Sequence, residues 1–209
     1  MKLLWERLER WVTANTGQSL ALRPGASPQA IAALEKAGGM ALPDDLRASL
    51  LAHNGQDDDA EPVRFPGCGF FGSVESILSP WTDLAELEEE YGGPSGEYED
   101  GDRIDNIVFC ARRIPIAGAP HWDQDNTYLD FVPGPKGNAG QVIQLVTECD
   151  FVVLAPDLRT YFERLAKTLE SGLLVWSKDV DELVPAKGEW GQHPAEWLVK
   201  RWRKQSWTS

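Results

Sequence analysis

Three histidines, three cysteines and several knots of carboxylates are the residues of this chain that could do chemistry, and spacing decides whether they do. His53, His121 and His193 stand far apart, with no HExxH and no paired spacing to hold zinc. Cys68, Cys110 and Cys149 are odd in number and lack a CxxC, so they read as free thiols of a reducing compartment. No GxSxG elbow, P-loop or Cys-His arrangement for nucleophilic catalysis occurs. The run Gly67-Cys68-Gly69-Phe70-Phe71-Gly72 matches GxGxxG, whose glycines let a backbone approach a pyrophosphate at a helix N-terminus. Pro66 spoils the preceding strand, two Phe crowd the loop and neighbouring acids repel phosphate, so the run reads as a turn. Asp123, Asp125 and Asp130 offer oxygens to calcium, but the glycine and glutamate of a calcium loop are missing. The loop at Glu99-Asp100-Gly101-Asp102 fails the same test. The expectation is no catalytic residue, no metal and no cofactor.

Charge is more informative than motif. The chain of 209 residues carries a formal net charge of −13, and its placement is uneven. Residues 57–105 hold fifteen Asp and Glu against Arg64 and Arg103, a net of −13; the eighteen acids and eighteen bases elsewhere cancel. A surface of one sign repels nucleic acid and steers basic partners inward, raising association rate more than affinity. The plainer alternative is a solvated acidic face that keeps the protein soluble. No apolar run approaches the ~20 residues that span a bilayer, and the N-terminus lacks a secretion signal, so a cytoplasmic protein with no membrane or nucleic-acid partner is expected.

The elements that must position these residues follow from periodicity. Residues 1–14 read as an amphipathic helix through Leu4, Trp5, Leu8, Trp11 and Val12. Ser27-Pro28 opens a second helix as N-cap and first helical residue, which Gly38-Gly39 stops. Leu42-Pro43-Asp44-Asp45 starts a third, its carboxylates at the positive end of the helix dipole, and Asn54-Gly55 suits a left-handed cap. Residues 63–71 predict a strand or hairpin, 74–91 a helix, 92–102 an acidic loop, and 104–116 and 127–132 strands. A strand pair at 141–146 and 151–154 precedes a long helix that begins at Ala155-Pro156-Asp157 and ends at Gly172. A last helix covers 193–204. Helices, then strands, then helices argue α+β.

Nine tryptophans need placing. Trp5, Trp11 and Trp81 have core spacing. Trp190, Trp197, Trp202 and Trp207 cluster beside Lys200, Arg201, Arg203 and Lys204, which suits an interface or a terminal helix docked on the chain's own acidic face, cation against carboxylate. The docked helix is the preferred reading.

Residues 31–55, IAALEKAGGMALPDDLRASLLAHNG, resemble the N-terminal signature of the Smi/Knr family of the SUKH superfamily. Leu34-Glu35, Leu42-Pro43-Asp44 and Asn54-Gly55 stand in its places. Ile114-Pro115-Ile116 followed by Trp122, Tyr128-Leu129-Asp130-Phe131 and Gly140-Gln141-Val142-Ile143 look like its strand block, and residues 157–172 occupy the place of its closing helix. The acidic insertion at 86–105 and the tail after Gly172 depart from the pattern.

The resemblance implies an α+β fold, a single mixed, largely antiparallel sheet flanked by N- and C-terminal helices, and binding without catalysis. It divides the chain into a domain at 1–172 and a Trp-rich basic extension at 173–209 that packs on the same domain. Many bacterial members look like immunity proteins, so the first expectation is a protein that occludes a cognate, basic, nuclease-like toxin. Glu88, Glu89, Glu90, Glu97, Glu99, Asp100 and Asp102 are the expected partner-binding residues. Leu42, Pro43, Asn54, Gly55, Trp122, Asp130, Gly140 and Gln141 are family-motif positions with structural or pocket roles. The alternatives are a regulatory or scaffolding module, as in the fungal branch, and a ligand-binding or enzymatic domain with a pocket near Asn54, Trp122 and Asp130.

Overall fold

The computed structural model describes the chain apart from residues 67, 95–100, 119–125, 148–149, 192 and 205–209 and the side chains of 58 and 147. Helix α1, Lys2–Thr16, buries Leu4, Trp5, Leu8 and Val12 at the spacing of one helical face and ends at Gly17 in the left-handed conformation. Helix α2, Pro28–Gly38, starts where the Ser27 side chain accepts the Ala30 amide, and Gly39 ends it. Helix α3 is Asp44–Ala52, strand β1 Phe70–Phe71, and helix α4 Val74–Tyr91, opened by a Ser73–Ser76 capping box. Strands β2 to β5 are Arg113–Gly118, Thr127–Asp130, Gln141–Thr147 and Asp150–Ala155. Helix α5, Leu158–Glu170, is capped by Asp157; β6, Leu174–Ser177, β7, Glu182–Pro185, and α6, Pro194–Lys204, follow.

The fold is α+β. Strands β1 to β5 form one sheet in sequence order, antiparallel at every pairing, and β6–β7 form a separate hairpin. Both faces of the main sheet are covered. Ile116, Leu129, Val142, Val152 and Leu154 join α1, α3, α5 and α6 in the main core, where Trp5, Phe71 and Phe162 pack edge to face or tilted. Tyr128, Ile143, Phe151 and Val153 pack on the other side against Leu84 of α4 and Ile104. Successive residues of β5 therefore serve opposite cores, which is why it reads as an unbroken apolar run.

Several segments differ from expectation. Of residues 104–116 only 113 onward is strand; Ile104 is fully buried as a cover over the second face and makes a lone bridge to Pro133. Within 63–71 only Phe70 and Phe71 join the sheet, because Phe65 bridges Gly69 across a tight turn. That turn is what becomes of the GxGxxG run, with Cys68 and Phe71 buried in the core. Helix α3 ends on His53 in extended backbone, so Asn54-Gly55 is not its left-handed cap. The β6–β7 hairpin escapes sequence reading because each strand sinks one residue, Leu174 or Leu183, which is too short a pattern to register.

Helix α6 docks by its apolar stripe. Trp197, Leu198 and Trp202 are buried and the helix packs on β4 and β5. Trp202 Nε1 donates to Thr168 Oγ1 at 2.8 Å, and its ring meets Tyr161 edge-on. Lys200 pairs with Glu196 of the same helix and Arg201 lies over Trp197.

Candidate functional site

Register builds a fully buried polar row. Arg113, Asp130 and Gln141 are direct cross-strand partners on β2, β3 and β4, so their side chains share a face. Arg113 Nε donates to Asp130 Oδ1 at 3.3 Å and Gln141 Nε2 to Asp130 Oδ2 at 2.9 Å, with the ion pair 1% and 0% exposed. The remaining donors go to the chain above. Arg113 Nη2 reaches the Asp105 carbonyl at 2.9 Å, its Nη1 the Ile107 carbonyl, and Gln141 the Arg103 carbonyl at 2.7 Å. The guanidinium also lies 4.9 Å from the Phe151 ring centroid. This row clamps the returning arm of the acidic insertion onto the sheet. Sequence reading selects Asp130 and Gln141 but misses Arg113, whose role depends on a register one sequence does not display.

The other family-motif positions are joints. Asn54 Oδ1 accepts the Val74 amide at 2.8 Å and its Nδ2 donates to Glu75, so it caps α4. Glu75 is held below its ordinary 4.5, first by its own backbone amide and then, against partial burial, by Asn54 and Ser73. Gly55, at φ 71°, lies so close to Gly72 that a Cβ would sit 2.5 Å from the Gly72 carbonyl carbon. Leu42 is buried and gives its amide to Glu35, which also pairs with Arg47, while Pro43 is the N-cap residue of α3. Gly140, at φ 83°, turns the chain into β4 and donates its amide to the Asp130 carbonyl at 2.7 Å. Trp122 lies outside the described residues. Neither Asn54 nor Asp130 lines the groove described below, and a pocket shared with Trp122 lies outside the described residues.

The acidic residues divide among three elements. Asp57, Asp59 and Glu61 lie in the loop before β1, Asp83, Glu86, Glu89 and Glu90 on α4, and Asp102 and Asp105 in the turn leading to β2. Glu89 and Glu90 are exposed, whereas Glu88 turns inward and accepts the Ala111 amide at 2.7 Å. Asp102 pairs with Lys136 at the surface. Glu97, Glu99 and Asp100 lie outside the described residues. Glutamates 88–90 occupy the last turn of α4, where no basic residue accompanies them and the helix dipole is already negative. That placement costs stability locally.

A groove lies elsewhere among the described residues. A solvent-open groove of about 970 Å³ lies between the 18–21 and 60–70 segments on one side and β6–β7 with Trp190 on the other. Gln56, 3% exposed, braces its floor: its amide donates to the Leu20 and Val63 carbonyls and its carbonyl accepts the Phe71 amide. Gln18 Nε2 ties the opposite wall through Asp181 at 3.2 Å. Sequence reading finds no groove here because three distant segments make it. Among the described residues no group of three His, Cys, Asp or Glu could hold a metal ion. The Cys110 thiol is pushed above its ordinary 9.0, chiefly by burial, which makes it a poor nucleophile. No described helix is long and apolar enough to cross a membrane.

Against known proteins, the model of the SMI1 / KNR4 family (SUKH-1) matches residues 25–164. The chain belongs to the SMI1/KNR4 family. The match runs from α2 into α5 and contains the Arg113–Asp130–Gln141 row and the Asn54 cap, while β6, β7 and α6 fall beyond it. Among SMI1/KNR4 relatives, a "Glucan synthesis regulatory protein" of Neurospora crassa is 23% identical over 95% of this chain and 44% of its own length. A "Cell wall biosynthesis/cell cycle regulator smi1" of Schizosaccharomyces pombe is 27% identical over 85% of this chain and 37% of its own. The chain thus spans less than half the length of these curated relatives.

Proposed function

We propose that this protein is a non-catalytic regulatory module of cell-wall synthesis that works in the cytoplasm by binding other proteins. The observation that carries the reading is similarity along 95% of the chain to a relative named for glucan synthesis regulation. The site geometry supports it: the polar residues that sequence offers for chemistry, Asn54, Asp130 and Gln141, are committed to backbone and to one another. Deleting the gene tests it. The expected outcome is altered growth or sensitivity to wall-perturbing agents with no toxin present, restored by the intact gene. Unaltered growth and envelope would overturn it.

A second reading, neutralisation of a basic toxin, rests on the confinement of the −13 charge to residues 57–105. It predicts that co-expression relieves the lethality of a neighbouring gene's product and that deletion is silent without that product.

A further inference from the structure

The groove between the 60–70 segment and β6–β7 carries marks of a binding site that neither the family match nor the relatives' names assign. Three non-glycine residues have positive φ among the described residues: Ala21 at 48°, Glu61 at 49° and Asp181 at 57°. All three line this groove. Non-glycine backbone in that region is strained and persists where the surroundings impose it, which clusters at sites of function. Half-buried Phe70, Trp176 and Trp190 face the same space, and exposed Val180 stands at its rim.

We infer that the groove docks an extended, basic peptide segment of a partner protein, an inference that rests on the protein-binding reading above. Charge selects the occupant. Glu61, Asp181 and Glu182 line the groove against Arg64 alone, and Arg64 is engaged 3.8 Å from Glu182 and 5.4 Å from the Phe70 centroid. Exposed Asp59 extends the negative rim. An anionic ligand is repelled there, whereas Lys or Arg is drawn in by charge and by the faces of the aromatic rings. Shape selects an extended chain. β6 and β7 pair only with each other among the described residues, so β7 keeps an unpaired edge beside Asp181, Glu182 and Leu183. Proline or aliphatic side chains of the peptide fit between Trp176 and Phe70, and its cations meet Glu61 and Asp181. The Gln56 brace makes the walls preformed, which lowers the ordering cost of binding.

Titration of the full chain with a fluorescent Lys-Pro-Leu repeat peptide of about ten residues, roughly 33 Å extended, tests this. A matched peptide with Glu in place of Lys is the control. The expected result is saturable binding of the lysine peptide alone, weakening with salt, with shifts of the Trp176 and Trp190 indole N–H signals. The double variant Glu61→Arg/Glu182→Arg loses about tenfold or more in affinity, as does Val180→Lys, while Glu89→Arg/Glu90→Arg on α4 binds as the parent does. Unmoved indole signals, absence of binding, or an equal loss in the α4 variant would overturn the assignment. If the deletion phenotype holds but the peptide does not bind, the groove assignment alone falls; if the peptide binds and deletion is silent, the wall-regulation reading falls.

Discussion

Asp130→Asn leaves Arg113 as an uncompensated guanidinium on a sheet face where both side chains are almost fully buried. The expected loss is about 3–5 kcal/mol of unfolding free energy in urea, because the cost is that of a stranded charge and not of one hydrogen bond. Replacing the pair together, Arg113→Met with Asp130→Leu, removes the stranded charge and costs less than the single change. Asn54→Ala removes the acceptor of the Val74 amide, leaves the Ser73–Ser76 capping box in place, and costs about 1 kcal/mol by the same measurement. Glu75 gives this joint a pH dependence. Its folded-state pKa lies below the ordinary 4.5, so its contribution is full above that value and disappears as pH falls through the lower one. The stabilities of the parent and Glu75→Gln should therefore differ at neutral pH and converge as pH falls below the folded-state value of Glu75.

At the scale of elements, the tail is held by its tryptophans. Trp202→Ala should cost about 3–5 kcal/mol in urea denaturation, through lost packing on Tyr161 and the lost hydrogen bond to Thr168 Oγ1, while charge changes at exposed Lys200 leave stability within about 0.5 kcal/mol. Gly55→Ala should destabilise by more than about 1 kcal/mol, since it meets both an unfavourable φ and the Gly72 backbone. The helices were legible because local signals agree: Ser27-Pro28 and Asp157 mark starts, Gly39 and Gly172 mark ends, and apolar residues recur at three and four. β5 was legible as an apolar run. The arm at 104–112 was not, since Ile104, Val108 and Phe109 are apolar for packing on the sheet, and composition does not separate a covering segment from a strand. Asp130 and Gln141 were visible as motif residues, but their joint work with Arg113 is a property of register.

For the whole molecule, a buried polar row holds the fold, and the proposed function assigns the acidic exterior to partners. Family-motif residues are joints and clamps: Asn54 caps α4, Gly55 permits close approach, and the Arg113 row pins the acidic insertion. The charge of residues 57–105 belongs to three elements, one of them the rim of the groove. Recognition through such a surface weakens with salt, because exposed charges are screened within about 8 Å at physiological ionic strength. Affinity capture from the host of origin therefore bears most directly on the claim that this protein acts by presenting carboxylates to other proteins. Parent and charge-reversed baits of equal folded stability, Glu61→Arg/Glu182→Arg and Glu89→Arg/Glu90→Arg, would be compared by quantitative mass spectrometry. The account predicts a discrete set of proteins on the parent that salt releases and that at least one reversal abolishes. The same set on all baits, or none on any, would contradict it.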